Sequence, residues 1–426
     1  MGNDAHGRPG QDIEIRAITE EEIPVWDRAI ARGFLRPHIA DGTEFRRLTF
    51  EPGRFLAAFD RADGDRCVAT FRSFDAELTV PGNGTLPVDA VTAVTVNSTH
   101  RRRGLLSGMM RQDLAAARER GSLAAILIAA EYNIYGRFGY GPATRAHGLR
   151  IDLLRSGGLR ADLPVPEGGR VDFLSLEELR KLGPELHDRW RLTQPGAITR
   201  SPAWWKLHTG EVTLPGYDWK EGFYAAHRDA DGVVTGLIWY SVDDTWDGAF
   251  PNCTLTVNDF LALDRPTANA LWRFAFSVDW VRHVAVGNLS PDDPLPLLLN
   301  DPRGAKPHEE SCDFLWLRLL DLPAALAARS YAAPGRLVLQ VTDPEGWTAG
   351  RWALETAADG TGRCTRTDDP ADLTLDIGRV GSLYLGAESA TRLLAAGLLT
   401  EHRPGAAATA DLLLRTPTAG WNPDGF

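Results

Sequence analysis

The chain has 426 residues, 43% of them hydrophobic, and a formal net charge of −11. That length and composition predict about two to four domains with cores of their own. The acidic balance argues against general nucleic-acid binding, which needs a basic face, and no run of about 18 apolar residues offers a membrane span.

The opening MGNDAHGRPGQD is polar, so residues 1–11 read as a disordered leader rather than a signal peptide. A first block covers residues 12–155. IEIRAI alternates like a strand, and TEEEIPVWDRAIARGF reads as a helix with Thr19 at its N-cap. CVATFRSFDAELTV and GTLPVDAVTAVTV are β-branched and predict strands. In RGLLSGMMRQDLAAARERG, Leu106, Met110, Leu114 and Ala117 share one helical stripe that Gly121 ends. LAAILIA is continuously apolar, as a central strand buried on both faces must be. A short helix carrying NIYGRFGY and a strand around RAHGLRIDL close the block.

A second block, residues 156–305, follows the Gly/Pro-rich SGGLRADLPVPEGG. It again mixes helices (SLEELRKLGPELHDRWRL, ANALWRFAFSV) with strands (GLIWYSV, CTLTVNDFLALD). A third block, residues 306–426, predicts a small α+β layer ending in the irregular PTAGWNPDGF. The whole reads as an α/β (α+β) chain. Cys67, Cys253, Cys312 and Cys364 are widely spaced, which predicts no metal site and a reducing, cytoplasmic setting.

The chemistry concentrates in VTVNSTHRRRGLLSGMM, Val94 to Met110, where a strand breaks and restarts as a helix. A helix start offers unpaired N–H groups and the positive end of a dipole. Arginines add charge-assisted bonds to phosphate oxygens. The segment therefore predicts a pyrophosphate cradle, with a solvated basic turn as the alternative. The second block has no such turn.

With AAEYNIYGRFGYGPAT, this segment resembles the Gcn5-related N-acetyltransferase (GNAT) superfamily. Arg101-x-x-Gly104-x-Leu106 is similar to its pyrophosphate turn, and Tyr135-x-x-x-Gly139-Tyr140 to its tyrosine element. THRRRGLL, IYGRFGYGPAT, the three blocks and a C-terminal phenylalanine resemble the enhanced-intracellular-survival (Eis) family more closely. The resemblance implies tandem GNAT-like domains followed by a sterol-carrier-protein-like domain, in a homohexamer. It also implies acetyl transfer from acetyl-CoA, without a metal, to the amine of a cationic small molecule or a lysine side chain.

Carried over, Val94, Thr95 and Val96 would lie along the acetyl and pantetheine arm. Arg102, Arg103, Gly104, Leu105, Leu106 and Ser107 would surround the pyrophosphate. Ala130 and Glu131 would touch the cofactor from the next strand. Tyr135 matches the family's general acid, with Tyr132 as the competitor and Tyr140 as a core ring. The carboxylate of Phe426 matches its base. Gly425 and Ala93 stand where aminoglycoside-modifying members carry an acidic residue and a phenylalanine. Glu131 and Asp424 are the candidate partners for a cation. Two alternatives remain: a protein that binds an apolar ligand in its third domain, and a CoA-binding sensor that has lost catalysis.

Overall fold

The computed structural model describes residues 13–37, 43–308 and 311–426. The leader, residues 1–11, lies outside the described residues. The first sheet contains β1 (Ile13–Ala17), β2 (Phe55–Asp60), β3 (Arg66–Thr79), β4 (Thr85–Val96) and β5 (Ala124–Ile128), in that order. Only β4 and β5 run parallel; the other neighbours are antiparallel. The connection between them is α3 (Leu105–Glu119), preceded in the chain by α1 (Ile23–Gly33) and α2 (Thr43–Leu48). Thr19 opens a single 3-10 turn ahead of α1, its N–H bonded to the Glu22 carboxylate at 2.9 Å.

β5 is buried on both faces, as its unbroken apolar run requires. Ala125 and Leu127 share a core with Leu105, Met109 and Leu114 of α3. Ala124 and Ile126 face the other way, into a core shared with the third domain's Leu383 and Tyr384.

Two strands depart from the sequence reading. The strand around RAHGLRIDL, β7 (Arg145–Asp152), does not close the first sheet; it pairs with Val281–Leu289 in the second. In return Leu315–Leu319, from the third block, enters the first sheet between β5 and β6 (Gly141–Pro142). The crossing segments bond to each other: the Ala143 and Thr144 N–H groups donate to the Leu315 carbonyl at 2.8 and 3.1 Å. Alternation shows that a strand is buried, but not which sheet buries it.

The second sheet repeats the plan, with one parallel pair, Cys253–Ala262 and Val281–Leu289. The third domain is a five-stranded sheet built around Gly335–Thr342 and packed by helices including Ile377–Tyr384 and Ala406–Leu414. Its interior is filled: the gap bounded by Leu337, Leu354, Leu375 and Tyr384 is about 10 Å³. Among the described residues no helix is long and apolar enough to cross a membrane.

Candidate active site

The site begins with a defect in β4. Thr70 pairs with Thr95 and Arg72 with Thr92, so Ala93 and Val94 stand against Phe71 alone. Two residues facing one make a β-bulge. Ala93 takes a left-handed φ of 55° to make it. Thr70 pins the bulge: its hydroxyl donates to the Ala93 carbonyl at 2.9 Å and lies 2.7 Å from the Thr95 hydroxyl. The Thr95 side chain is thereby used internally, leaving its backbone for any ligand.

The bulge also turns β4 away from its neighbour. β4 and β5 pair only from Val88↔Ala124 to Val91↔Leu127. Beyond that no pairing joins the two strands, and Val94, Val96 and Ala129 share one apolar cluster. An extended, amide-bearing arm can pair with an unpaired strand edge.

β4 leads into the turn before α3. Arg102 and Gly104 both adopt left-handed conformations, φ 64° and 80°. Gly104 is the N-cap, no side chain caps the helix, and the first intrahelical bond runs from the Gly108 N–H to the Gly104 carbonyl at 2.9 Å. The N–H groups of Leu105, Leu106 and Ser107 therefore remain for a ligand. Arg101, Arg102 and Arg103 are exposed. A Cβ on Gly104 would meet nothing within 4 Å, so the turn opens onto free space. His100 braces it, with Nε2 2.9 Å from the Asp60 carboxylate and Nδ1 2.8 Å from the Thr99 hydroxyl. These features suit a pyrophosphate.

The second sheet shows what disqualifies the equivalent place. There Asp264 caps the helix Arg265–Phe276, accepting from the Thr267 N–H at 2.7 Å, so a carboxylate already stands where a phosphate would bind. The chain's own tail lies along Val281–Leu289: Asn288 Nδ2 donates to the Asn422 and Pro423 carbonyls at 3.0 and 3.3 Å.

Tyr135 ends the short helix α4 (Tyr132–Tyr135) and is 8% exposed. It belongs to the same apolar cluster as Val94, Val96, Leu106 and Ala129. Burial first, then the Glu131 carboxylate, raises its pKa above the usual phenol value. Tyr132 is 54% exposed and lies edge-on to Trp316. Tyr140 is a core ring whose hydroxyl contacts Met110 Sδ at 3.8 Å.

The C-terminal tail is docked along its length. The Trp421 N–H donates to the Pro195 carbonyl at 2.8 Å, and its indole N–H to Asn288 Oδ1 at 2.7 Å. Asp424 is buried against Arg200, whose Nε reaches its two oxygens at 3.0 and 3.1 Å. Arg200 also bonds Asp259, at 2.7 and 3.1 Å. Burial works against the Arg200 charge, but the two carboxylates hold it above the ordinary arginine value. Asp424 is therefore an anchor of the tail. Its carboxylate is not left for a cation, which corrects the sequence reading. Glu131 is exposed at the start of α4.

Past this anchor Phe426 lies edge-on to Phe74, with centroids 5.6 Å apart. Both line a cavity of about 520 Å³ that reaches Thr92 and Ala93 at the bulge. Residues the sequence did not single out complete it, among them Arg72, Trp204 and Tyr217. Arg72 stands in the alternating FRSFD with no motif to mark it. His208, in the same wall, is pushed down to about 4 by burial and is neutral near pH 7. Tyr135 is not among the cavity's lining residues; Ala93 and Val94 point to opposite faces, and Tyr135 shares the Val94 side. Among the described residues no cluster of His, Cys, Asp and Glu could hold a metal ion.

Comparison with known proteins agrees with this architecture. The acetyltransferase (GNAT) domain matches residues 14–143, a second acetyltransferase (GNAT) domain residues 196–319, and the sterol carrier protein domain residues 322–423. An uncharacterized N-acetyltransferase of Streptomyces avermitilis is 48% identical over 419 residues, 97% of this chain and 99% of that one. N-acetyltransferase Eis of Mycobacterium tuberculosis is 36% identical over 373 residues, 86% of this chain and 87% of that one. The crystal structure of Eis1 from Mycobacterium abscessus superposes with a TM-score of 0.83 at 30% identity, covering 97% of this chain and all of that one. The chain belongs to the Eis-like N-acetyltransferases, with two GNAT domains ahead of a sterol carrier protein domain.

Proposed function

We propose that the first GNAT domain transfers acetyl from acetyl-CoA to a small-molecule amine held in the cavity beside Phe426. One observation carries this reading: β4 stops pairing with β5 after Val91 and leads into an uncapped helix start with three exposed arginines. Val94, Thr95 and Val96, with Ala130 and Glu131 opposite, would hold the pantetheine arm through their backbone. Arg102, Arg103, Gly104, Leu105, Leu106 and Ser107 would hold the pyrophosphate.

Acetyl-CoA supplies an activated acyl carbon and a thiolate leaving group. The chain's residues supply position and proton management. Tyr135, kept protonated by its burial, gives its proton to the departing sulfur. The Phe426 carboxylate takes a proton from the incoming amine or holds the ammonium until it is lost. An α-carboxyl near pKa ~3.5 is a weak base, so its part is to be held at the cavity by the Phe426 ring, which packs edge-on to Phe74. The family likeness extends the proposal to a cytoplasmic homohexamer.

A polycation such as an aminoglycoside or polyamine finds little to hold it here. Among the described residues the acidic side chains lining the cavity are Asp27 and Asp424, and each is engaged by an arginine, Arg46 and Arg200. The apolar-ligand alternative meets a third domain whose interior gap, about 10 Å³, has room for about one water at most. The sensor alternative differs in outcome: it binds CoA and releases no product. Thiol release from acetyl-CoA with a panel of primary amines, with the N-acetyl product confirmed by mass, is the test. CoA binding without transfer to any amine would favour the sensor.

A further inference from the structure

The acceptor cavity contains a buried arginine that, among the described residues, forms no ion pair. Arg72 is 8% exposed, lines the cavity, and sits directly across β3 and β4 from Thr92, one residue before the bulge. Its Nε makes no hydrogen bond, and among the described residues it forms no ion pair. What surrounds it is aromatic: the guanidinium carbon lies 5.2 Å from the Phe55 ring centre and 5.3 Å from that of Phe74. The other buried cavity arginines are satisfied, Arg46 by Asp27 and Arg200 by Asp259 and Asp424. Burial, then the like charges of Arg46 and Arg54, push Arg72 down to about 9, with Glu51 opposing.

Buried charges are paired as a rule, because an unpaired one costs several kcal/mol. Here the missing partner would have to come through the cavity. The wall also offers an apolar and aromatic surface, Ile30, Phe34, Phe45, Leu207 and Phe426, beside polar groups such as Thr49 and His208. We infer that the acceptor is a primary amine carrying a carboxylate and an apolar, aromatic-sized body, its carboxylate paired with Arg72 beside the bulge. This is the chemistry of an apolar amino acid. The inference rests on the acetyltransferase reading and names its substrate class. In the reaction the thioester C–S bond breaks and the C–N bond forms. The ammonium loses two protons, one replaced by the acetyl group and one freed when the amine becomes the nucleophile; the sulfur gains one, and one is released to solvent.

The test compares L-phenylalanine with phenethylamine, which differ only in the carboxylate, and with spermine, in the wild type, Arg72→Met and Arg72→Lys. A charge-assisted pair predicts a wild-type preference in kcat/KM of about 10–100-fold for phenylalanine. Arg72→Met should abolish that preference and Arg72→Lys restore part of it, with CoA affinity unchanged. Phenethylamine or spermine turning over as fast as phenylalanine in the wild type would overturn the inference, with or without a folded variant. So would a preference that survives Arg72→Met. Calorimetry of N-acetyl-L-phenylalanine on the CoA-saturated protein separates the two claims. Arg72-dependent binding without turnover supports the anion site and defeats the catalytic reading. Spermine acetylated at least as fast as phenylalanine, with phenylalanine turnover indifferent to Arg72, defeats the anion site and keeps the catalysis.

Discussion

Tyr135→Phe removes one oxygen and leaves the buried ring. Among the described residues the Tyr135 hydroxyl makes no hydrogen bond, so no partner is orphaned by its loss. Stability should change by no more than about 0.5–1 kcal/mol, a few degrees in Tm at most. The reaction should feel it far more. With a thiol near pKa ~8.5 and a tyrosine raised above 10, full proton transfer is uphill by at least about 2 kcal/mol. That is small beside a typical barrier of about 13–17 kcal/mol, so donation in the transition state remains worthwhile. Losing such an acid costs about 10²–10⁴ in rate, or about 3–5 kcal/mol of transition-state stabilisation. At saturating acetyl-CoA, Tyr135→Phe should therefore lower kcat by that factor while calorimetric CoA affinity and the melting temperature stay put. The defect should shrink with an acetyl thioester whose thiol is far more acidic, because that sulfur needs no proton. Activity within threefold of the wild type, or a loss that appears in Tyr132→Phe instead, would refute the assignment.

Gly104→Val places a β-branched residue at φ 80°, which costs about 1–2 kcal/mol, yet its Cβ meets nothing, so the protein should fold. CoA affinity should fall at least tenfold; unchanged affinity in a folded variant would remove the turn from the cofactor site. One alanine added after Phe426 moves the carboxylate by about 3.5 Å and should cut kcat about 100-fold or more with acetyl-CoA still bound. Normal turnover would put the base elsewhere, with Glu131 next to test. Asp89 is fully buried and pushed up to about 8 by burial and by the neighbouring Asp113 carboxyl. A folded-state pKa above the unfolded ~3.9 means the native protein holds the extra proton, so stability falls as pH rises from about 4 to 8. Asp113→Asn should flatten that fall in urea melts at pH 5 and pH 8, and an unchanged slope would exclude the carboxyl pair as its source.

What the sequence disclosed was local. The apolar run LAAILIA predicted a strand buried on both faces, and Ala124 to Leu127 are packed from both sides. The break at Asn97–Thr99 and the stripe from Leu106 marked the strand–turn–helix, because capping and periodicity act within a few residues. Partners distant in sequence were not legible. Nothing in RAHGLRIDL says that it pairs with Val281–Leu289, and nothing in LWLRL says that it completes the first sheet. Asp424 looked free for a substrate because Arg200 is 224 residues away. Arg72 carried no signal at all, since its meaning lies in the absence of a partner, which only the fold defines.

The most direct test of the central claim follows acetyl-CoA labelled in its acetyl group through the wild type and Gly104→Val, with L-phenylalanine as acceptor. The account predicts one labelled N-acetyl product per thiol released by the wild type, and product and CoA affinity at least tenfold lower in a folded Gly104→Val protein. Equal product from both proteins would contradict it, because acetyl transfer would then proceed without the turn between β4 and α3.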